Sequence, residues 1–481
     1  DTKQYKQERC TRIVLKFVLY GYAHIQNVTE KDIKEREDMN MFWVELILVL
    51  AIIFLGVRKG GTFLAMAGGV GMLIMTFFFH VTPADPPVTV ILIMIAVIVA
   101  AATMQACGGL DFLVRIAEKI LRRNPRMITV LAPVVAYIFT FMCGTGHIIY
   151  SLLPVINEIS IETGVRPERP ISASIIASQQ AITACPISAA TVGILAFMAE
   201  ATNYKTVNIF TLLVVCIPAT LIGTVACALA VMKKGKELAE DPEFQARVAS
   251  GQVQTLVKNE NAAEVKTTKE AKISVAVFLV AMVGIVLLGA VSALVPTLSD
   301  GSKLPLTTVI EIFMLVAAAV TVLITKLDSN KVLDQPVFKT GMFAVVLAFG
   351  LCWLVNTFIA DQSSFITDNM SVLTNEHPWI YIIAVFIVGA ITTSQSSSTM
   401  IMVPIGIALG LPANIIVAGW IACSSNYFIP ASGQCVAAIA FDTAGTTKIG
   451  KYVLNHSYML PGLVCTVVSV VSAILIGAVV F

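Results

Sequence analysis

Long apolar segments that contain no lysine or arginine are the feature that most constrains the fold of this chain. A helix needs about 20 apolar residues to cross the hydrocarbon core of a bilayer. Segments of this kind lie near 41–57, 61–80, 87–107, 207–232, 273–295, 305–325, 341–360 and 459–481. The ten-residue alternating segments that are typical of an outer-membrane barrel do not occur. The sequence therefore predicts an all-α integral membrane protein with about ten transmembrane helices.

Composition supports this class and excludes others. The AVILMFWYC fraction is 57% and the charged fraction is 13%, against about 25% charged residues in soluble domains. A net charge of +2 gives no reason to expect nucleic acid. The ten cysteines fall mostly in apolar segments without paired metal spacing, so we predict no metal and no cofactor. No hydrolase, metalloprotease or phosphate-loop motif is found, so we predict no catalytic residue and no enzyme.

Two regions, 127–200 and 378–440, break the pattern of simple crossings. In the first, apolar arms at 127–142 and 148–161 flank the sequence CGTGH at 143–147. An arm of about 16 residues extends roughly 24 Å as a helix, which is short of a core about 30 Å thick. In the second region, arms at 378–392 and 399–409 flank the polar run 393–398. We therefore predict two re-entrant hairpins, 127–161 and 378–409, with their tips at membrane depth.

A long apolar segment follows each hairpin, at 171–200 and at 414–440, and each is interrupted at a proline. The interruptions read ACPIS at 184–188 and NYFIPASG at 426–433. Proline removes a backbone donor and cannot continue a helix without a kink, so we predict two discontinuous helices. Unwound backbone in hydrocarbon persists where it lines a cavity or contacts a ligand.

The distribution of basic residues supports an inverted repeat. Loops 58–60, 107–126, 162–170, 233–272, 326–340 and 441–458, if cytoplasmic, hold 22 of the 32 Lys and Arg residues. Five crossings precede the 233–272 loop and five follow it, so the halves enter the membrane in opposite senses, as in secondary transporters. We predict a first repeat at 39–232, a cytoplasmic linker at 233–272 that acts as a flexible connector, and a second repeat at 273–481.

Residues 1–38 do not fit this organisation. They combine eight Lys and Arg with seven Asp and Glu and lack the apolar core of a signal peptide. We interpret them as an appended or upstream-translated extension. The alternative is a small extramembrane regulatory segment.

The two tips and the two breaks mark the candidate substrate site. Each supplies a helix N-terminus, which carries a partial positive charge of about half a unit and free N–H donors. Four such ends, with nearby hydroxyl groups, suit an anion with two carboxylates and avoid the insertion cost of a buried arginine. The predicted substrate-binding residues are Gly144, Thr145, Gly146, His147, Pro186, Ser188, Ser394, Gln395, Ser396, Ser397, Pro430, Ser432 and Gly433.

Some polar and glycine residues have two interpretations. Small residues in membrane helices also allow tight packing, which is the role we assign to the glycine-rich run 68–71. His147 would bind a substrate carboxylate or carry a proton. Gln179 and Gln180 would face the cavity or hydrogen-bond a neighbouring helix. Glu45 lies near a span end and is expected to reach the interface.

Several segments resemble one family of bacterial carriers. They are 118–125 (EKILRRNP), 143–154 (CGTGHIIYSLLP), 164–170 (GVRPERP), 185–190 (CPISAA) and 441–450 (FDTAGTTKIG). Together they resemble the anaerobic C4-dicarboxylate transporters of the DcuA/DcuB type, nearer the DcuB branch, from about residue 41 to 481. The resemblance implies an inner-membrane carrier that exchanges fumarate, malate or aspartate for succinate. It also implies a likeness to the wider ion-transporter superfamily, whose hairpin carriers work by elevator movement and are often homodimers.

The second half departs from the family's pattern. Family members read SQAA at the second hairpin, where this chain has SQSS at 394–397. They read LPTYPSD at the second break, where it has IPASGQC at 429–435. The acidic residue of that motif is missing, and this difference bears on substrate preference and on the co-sensor role of some DcuB-like members.

Exchange of C4-dicarboxylates is the leading hypothesis. One alternative is a Na⁺- or H⁺-coupled dicarboxylate symporter, and another is a non-transporting co-sensor partner of a sensor kinase. The expected partners are a C4-dicarboxylate, membrane lipid, a second copy of the chain and a sensor kinase, with no nucleic acid.

Overall fold

The computed structural model of the chain describes residues 41–56, 58–59, 62–250, 268–365, 376–430, 432–450 and 455–481. Within these ranges every regular element is a helix, and one isolated β-bridge joins Thr297 to Lys303. The prediction of an all-α fold is therefore confirmed. The predicted extension 1–38 and the linker residues 251–267 lie outside the described residues.

Eight helices in the described part are long and apolar enough to cross a membrane. They are Val88–Ala106, Pro125–Cys143, Glu168–Glu200, Ile209–Val231, Lys269–Ala290, Leu306–Thr325, Pro336–Asp361 and Met459–Val480. Four shorter apolar helices are Met41–Gly56, Phe63–Phe77, Trp379–Thr392 and Ala413–Ser424. Each of the eight predicted crossings coincides with one of these helices.

The helices differ in how far they lie inside the protein. In the most apolar window of Glu168–Glu200, 89% of the residues are buried, against 28% in Lys269–Ala290. The Glu168–Glu200 segment is therefore central, and Lys269–Ala290 lies at the periphery.

The first hairpin consists of the helices Ile128–Cys143 and Ile148–Glu162, joined by residues 144–147. A 3₁₀ turn, Pro125–Met127, precedes its first helix, and the combined segment of 19 residues is as long as a membrane span. The two α-helices, of 16 and 15 residues, have the predicted arm length, and the re-entrant course of the hairpin stays a prediction.

The second hairpin consists of the helices Trp379–Thr392 and Gln395–Ala408. The predicted unwound run 393–398 is too long, because only Thr393 and Ser394 lie between the helices. The Ser394 hydroxyl oxygen accepts a hydrogen bond from the backbone N–H of Ser397 at 3.2 Å, which lets the helix begin at Gln395.

Both predicted helix breaks coincide with interruptions. The first broken helix consists of Glu168–Ala184 and Ala189–Glu200. The second consists of Ala413–Ile421, followed by a 3₁₀ turn, and Gly433–Phe441.

Two glycines of the run 68–71, Gly68 and Gly71, pack closely against a neighbouring helix, as predicted for the run, whereas nothing lies within 4 Å of a Cβ atom at Gly69. A Cβ atom at Gly68 would lie 2.3 Å from the backbone of Gly350, and a Cβ atom at Gly71 would lie 2.4 Å from the Leu354 side chain. Gly350 belongs to the π-helical turn Ala348–Cys352 within the Pro336–Asp361 helix. Close approach of the two backbones therefore requires glycine at 68.

The first part of the linker is folded, so its prediction as a flexible connector is wrong for residues 233–250. Asp241 is the N-cap residue of the helix Pro242–Ala249, and its carboxylate forms an ion pair with Arg166. Arg169 Nη1 lies 2.6 Å from Glu237 Oε1. These ion pairs attach residues 233–250 to the beginning of the first broken helix. The predicted linker also ends early, because the helix Lys269–Ala290 starts inside it.

Glu45 does not behave as predicted either. The side chain is fully buried, and its Oε1 accepts a hydrogen bond from Gln362 Nε2 at 3.1 Å. A partner within the protein was available, so the carboxylate does not need to extend to the membrane surface.

Candidate substrate site

The hairpin tips and the helix breaks meet at one cavity of about 500 Å³, a volume typical of small-molecule sites. Eleven of the thirteen predicted residues line it: Gly144, Thr145, Gly146, His147, Ser188, Ser394, Gln395, Ser396, Ser397, Ser432 and Gly433. Pro186 and Pro430 are buried within the breaks and do not line it. Contact of these two prolines with substrate therefore stays a prediction, and the lining of this cavity does not support it. Their rings interrupt the helices, but they carry no donor to place in the cavity.

Four helices begin at the wall of this cavity. Their N-cap residues are His147, Ser188, Ser394 and Ser432, and all four line it. The three serine hydroxyl oxygens each accept a hydrogen bond from the backbone N–H three residues later. The first turn of an α-helix has further N–H groups without intrahelical partners. The cavity thus gathers four positive helix ends.

The Ser188 hydroxyl is occupied inside the protein. It donates to the carbonyl oxygen of Ile182 at 2.7 Å and accepts from the backbone N–H of Thr191 at 3.1 Å. Ser188 therefore fixes the start of its helix, and its hydroxyl is not free to bind a ligand. Ser396 differs, because it is half-buried and makes no side-chain hydrogen bond within the described ranges.

The described lining of the cavity contains no Lys, Arg, Asp or Glu. The rest of the wall is mostly apolar and comes largely from the helices Val88–Ala106 and Pro336–Leu347. Its side chains include Val97, Ile98 and Phe343. In the part of the chain that the structure describes, no group of three or more His, Cys, Asp or Glu side chains is placed to hold a metal ion.

Several hydrogen bonds join the site elements of one half to those of the other, and two of them involve residues that line the cavity. Gln434 Nε2 donates to the carbonyl oxygen of Gly146 at 2.9 Å. Gln395 Nε2 donates to the carbonyl oxygen of Gln179 at 3.2 Å. Gln179 and Gln180 themselves are buried and are not among the residues that line this cavity. Neither amide atom of Gln179, nor Nε2 of Gln180, has a hydrogen-bond partner in the described part of the chain, so neither of the two interpretations is confirmed.

The sequence analysis did not identify several lining residues, among them Tyr150, Thr340, Asn426 and Gln434. The Tyr150 ring stacks on that of His147 with centroids 5.9 Å apart. Tyr150 lies three residues after His147, so helical periodicity would have placed both on one face. Thr340 comes from a distant helix, and no local pattern signals it.

A second cavity of about 450 Å³ adjoins the first and shares His147 and Tyr150 with it. Its lining includes Asp111 and Gln335. These two residues belong to the loops 107–126 and 326–340, which the charge distribution assigns to the cytoplasm. The site is therefore next to the side of the protein that we predict to be cytoplasmic.

A bundle of apolar helices around a central, uncharged cavity made of helix ends defines a membrane transporter. The chain belongs to the anaerobic C4-dicarboxylate membrane transporter family (DcuA/DcuB), whose profile matches residues 41–481. It is 38% identical over 434 residues to the anaerobic C4-dicarboxylate transporter DcuB of Escherichia coli O6:H1, covering 90% of this chain and 97% of that one. It is 37% identical over 430 residues to the C4-dicarboxylate transporter DcuA of Wolinella succinogenes, and this match covers 89% of this chain and 98% of that one.

Solved structures share the fold at low identity. The Alcanivorax borkumensis YdaH transporter matches with a TM-score of 0.54 and 16% identity, over 85% of this chain and 88% of that one. Neisseria gonorrhoeae MtrF matches with a TM-score of 0.51 and 14% identity, over 90% of this chain and 94% of that one. These structures show the fold alone, whereas membership of the family makes the protein a multi-pass transporter of the bacterial inner membrane and not an enzyme.

Proposed function

We propose that the protein exchanges C4-dicarboxylates across the bacterial inner membrane, with fumarate, malate or aspartate entering and succinate leaving. The observation that carries this proposal is the meeting of four helix N-termini at one cavity without charged side chains. The family names of the relatives support the substrate class.

In the proposed binding mode, one carboxylate lies between the first tip and the first break, near His147 and Ser188. The other lies between the second tip and the second break, near Ser394 and Ser432. Backbone N–H donors stabilise each carboxylate through charge-assisted hydrogen bonds, and the helix dipoles add to this attraction. Without a fixed cation, the site binds a dianion weakly enough to release it on the other side.

We also propose that both hairpins and both broken helices move together as one module against the remaining spans. Two groups of helices line the cavity, and the difference in how they are bonded supports this proposal. The hairpins and broken helices are joined by hydrogen bonds such as that between Gln395 and Gln179. The rest of the wall, with Val97 and Phe343, is largely apolar and offers few directional bonds that would resist sliding.

Reconstituted vesicles test the function directly. Proteoliposomes loaded with succinate should take up radiolabelled fumarate, and Thr145→Val and Ser394→Ala should reduce the rate. Ser302→Ala, on an exposed loop far from the site residues in sequence, is the matched control and should behave as wild type. Absence of counterflow for the wild-type protein would contradict exchange.

The same assay separates the alternative functions. Uptake into succinate-free vesicles that depends on a sodium or proton gradient would indicate symport. Dicarboxylate binding without flux, with a changed sensor response on deletion, would indicate the co-sensor role. The homodimer and the sensor kinase remain proposals that come from the family resemblance.

A further inference from the structure

We propose that Gln434 is a positioning residue for the bound anion, and that it acts by covering the backbone carbonyl of Gly146. This inference rests on the proposed function and adds to it the residue that sets the affinity of the first tip. Gln434 belongs to the second half of the chain, whereas Gly146 lies in the tip of the first hairpin.

Gln434 lies in the first turn of the helix Gly433–Phe441 and lines the cavity. Its Nε2 donates to Gly146 O at 2.9 Å. Because a carbonyl oxygen only accepts hydrogen bonds, this contact fixes which end of the amide faces Gly146. The Gln434 amide, in the second half of the chain, thus donates to a backbone carbonyl oxygen in the first half.

Covering this carbonyl matters for the binding of an anion. A carbonyl oxygen carries partial negative charge and can accept two hydrogen bonds, and Gly146 O already accepts one from the backbone N–H of Ile149 at 3.3 Å. Gly146 O belongs to the same tip that presents the N-terminus of the helix Ile148–Glu162. Exposed to the cavity, the oxygen would repel a carboxylate near that helix end. A hydrogen bond from a neutral amide offsets this repulsion without placing a full charge in the site.

The Gln434 amide also fills the space that a side chain at residue 146 would occupy. A Cβ atom at residue 146 would lie 2.2 Å from Gln434 Nε2 and 3.5 Å from Ile182 Cδ1. The φ angle of Gly146 is not positive, so its backbone does not by itself require glycine. A side chain at 146 would therefore have to displace the Gln434 amide, which occupies its space.

The other end of the Gln434 amide contributes no bond. Gln434 Oε1 is buried and has no hydrogen-bond partner within the described part of the chain. Replacing the amide by an apolar group of similar shape removes this unpaired acceptor together with the donor. Gly146 O keeps its hydrogen bond from the backbone N–H of Ile149 at 3.3 Å, so the replacement does not leave the carbonyl without a partner and its cost for folding is small. The variant Gln434→Met should therefore lower the affinity for the substrate with little change in the stability of the fold.

The test measures succinate counterflow in proteoliposomes together with thermal unfolding in detergent. For Gln434→Met we expect KM to rise about threefold to tenfold with little change in maximal rate or in Tm. The control is Gln245→Met, which removes a similar amide-to-carbonyl bond, from Gln245 Nε2 to Leu238 O at 3.0 Å, outside the cavity. Its KM should equal that of the wild type.

A double-mutant cycle tests the pairing with a second variant. Gly146→Ala alone should raise KM about as much as Gln434→Ala, because the new methyl group displaces the amide. Once Gln434→Ala is present, adding Gly146→Ala should change KM less than about twofold, since residues in contact are not additive.

The outcomes separate the two proposals. If the wild-type protein shows no counterflow, the proposed function is contradicted. If it transports and Gln434→Met leaves KM unchanged, or Gly146→Ala costs the same in both backgrounds, the function stands and the role of Gln434 is overturned.

Discussion

Gly144 and Thr393 occupy matching places in the two hairpins. Each is the C-cap of the first helix of its hairpin, with left-handed φ angles of 69° and 51°, and each lines the cavity. Glycine adopts this conformation at no steric cost, whereas a β-branched residue is strained in it. The second tip therefore holds strain that the first tip avoids.

Thr393→Gly is expected to stabilise the protein by roughly 1 kcal/mol, because it removes this strain. Gly144→Thr should destabilise it by more than that, since the new side chain also meets Ile187, 3.1 Å from the Cβ position. Gly164→Ala is the control, because φ is 74° there and no atom lies within 4 Å of the added Cβ. Thermal unfolding in detergent measures all three, and a lower Tm for Thr393→Gly would contradict the strain.

Two substitutions at Ser394 distinguish the contribution of its helix cap to stability from the effect of a negative charge on transport. Its hydroxyl caps the helix Gln395–Ala408, and aspartate is an equally good N-cap residue. Ser394→Ala should cost about 1 kcal/mol of stability. Ser394→Asp should keep the Tm, but it should abolish counterflow, because a carboxylate at this end of the cavity repels the substrate. Transport by Ser394→Asp at the wild-type rate would show that no carboxylate binds at the second tip.

Helix packing against the π-helical turn is tested at two neighbouring glycines. Gly68→Ala should destabilise the protein, because its Cβ would lie 2.3 Å from the backbone of Gly350. We expect a loss of about 1–3 kcal/mol, the usual cost of overpacking. Gly69→Ala should leave the Tm unchanged or slightly raised, since nothing lies within 4 Å of that position. Equal Tm changes for the two variants would contradict the packing.

Asp241 makes the attachment of the linker dependent on pH. Burial alone would raise the pKa of Asp241, but hydrogen bonds from Arg166 and from the N–H groups of Glu243 and Phe244 outweigh burial and lower it. A lowered pKa contributes stability above the ordinary carboxylate value of about 3.9, and this is lost as pH falls through the pKa of the folded state.

Asp241→Asn should therefore reduce stability at pH 7 by about 1–3 kcal/mol, and its difference from wild type should vanish at strongly acidic pH. The control is Glu243→Gln, because Glu243 and Lys448 form an exposed pair at 3.6 Å, and such pairs contribute little. Thermal unfolding across the pH range checks both variants. A difference that persists below the folded-state pKa would contradict the role of the ionised carboxylate.

Sequence patterns were sufficient for the helices and for the positions where they break. Length and hydropathy predicted the crossings, and glycine and proline marked the interruptions. Helix starts were harder, because a serine such as Ser394 is polar both in an unwound tip and as an N-cap. Proline predicted the position of a break better than the residues around the cavity, since Pro186 marks a break but is not among the residues that line the cavity.

Contacts between distant segments were not predictable from local patterns. Thr340 lines the cavity from a helix that carries no polar signature, and Gln434 reaches Gly146 across 288 residues of sequence. The linker was misjudged for a related reason. Its charged residues resemble a solvated connector, and only the fold shows that Arg166 and Arg169 pair with Asp241 and Glu237.

A structure determined with succinate bound tests the central claim most directly. We predict density for one carboxylate within hydrogen-bond distance of backbone N–H groups at the helix starts after His147 or Ser188. We predict the other carboxylate at the helix starts after Ser394 or Ser432, with no lysine or arginine in contact with either. Succinate held by a guanidinium or ammonium group, or bound away from all four helix ends, would contradict it.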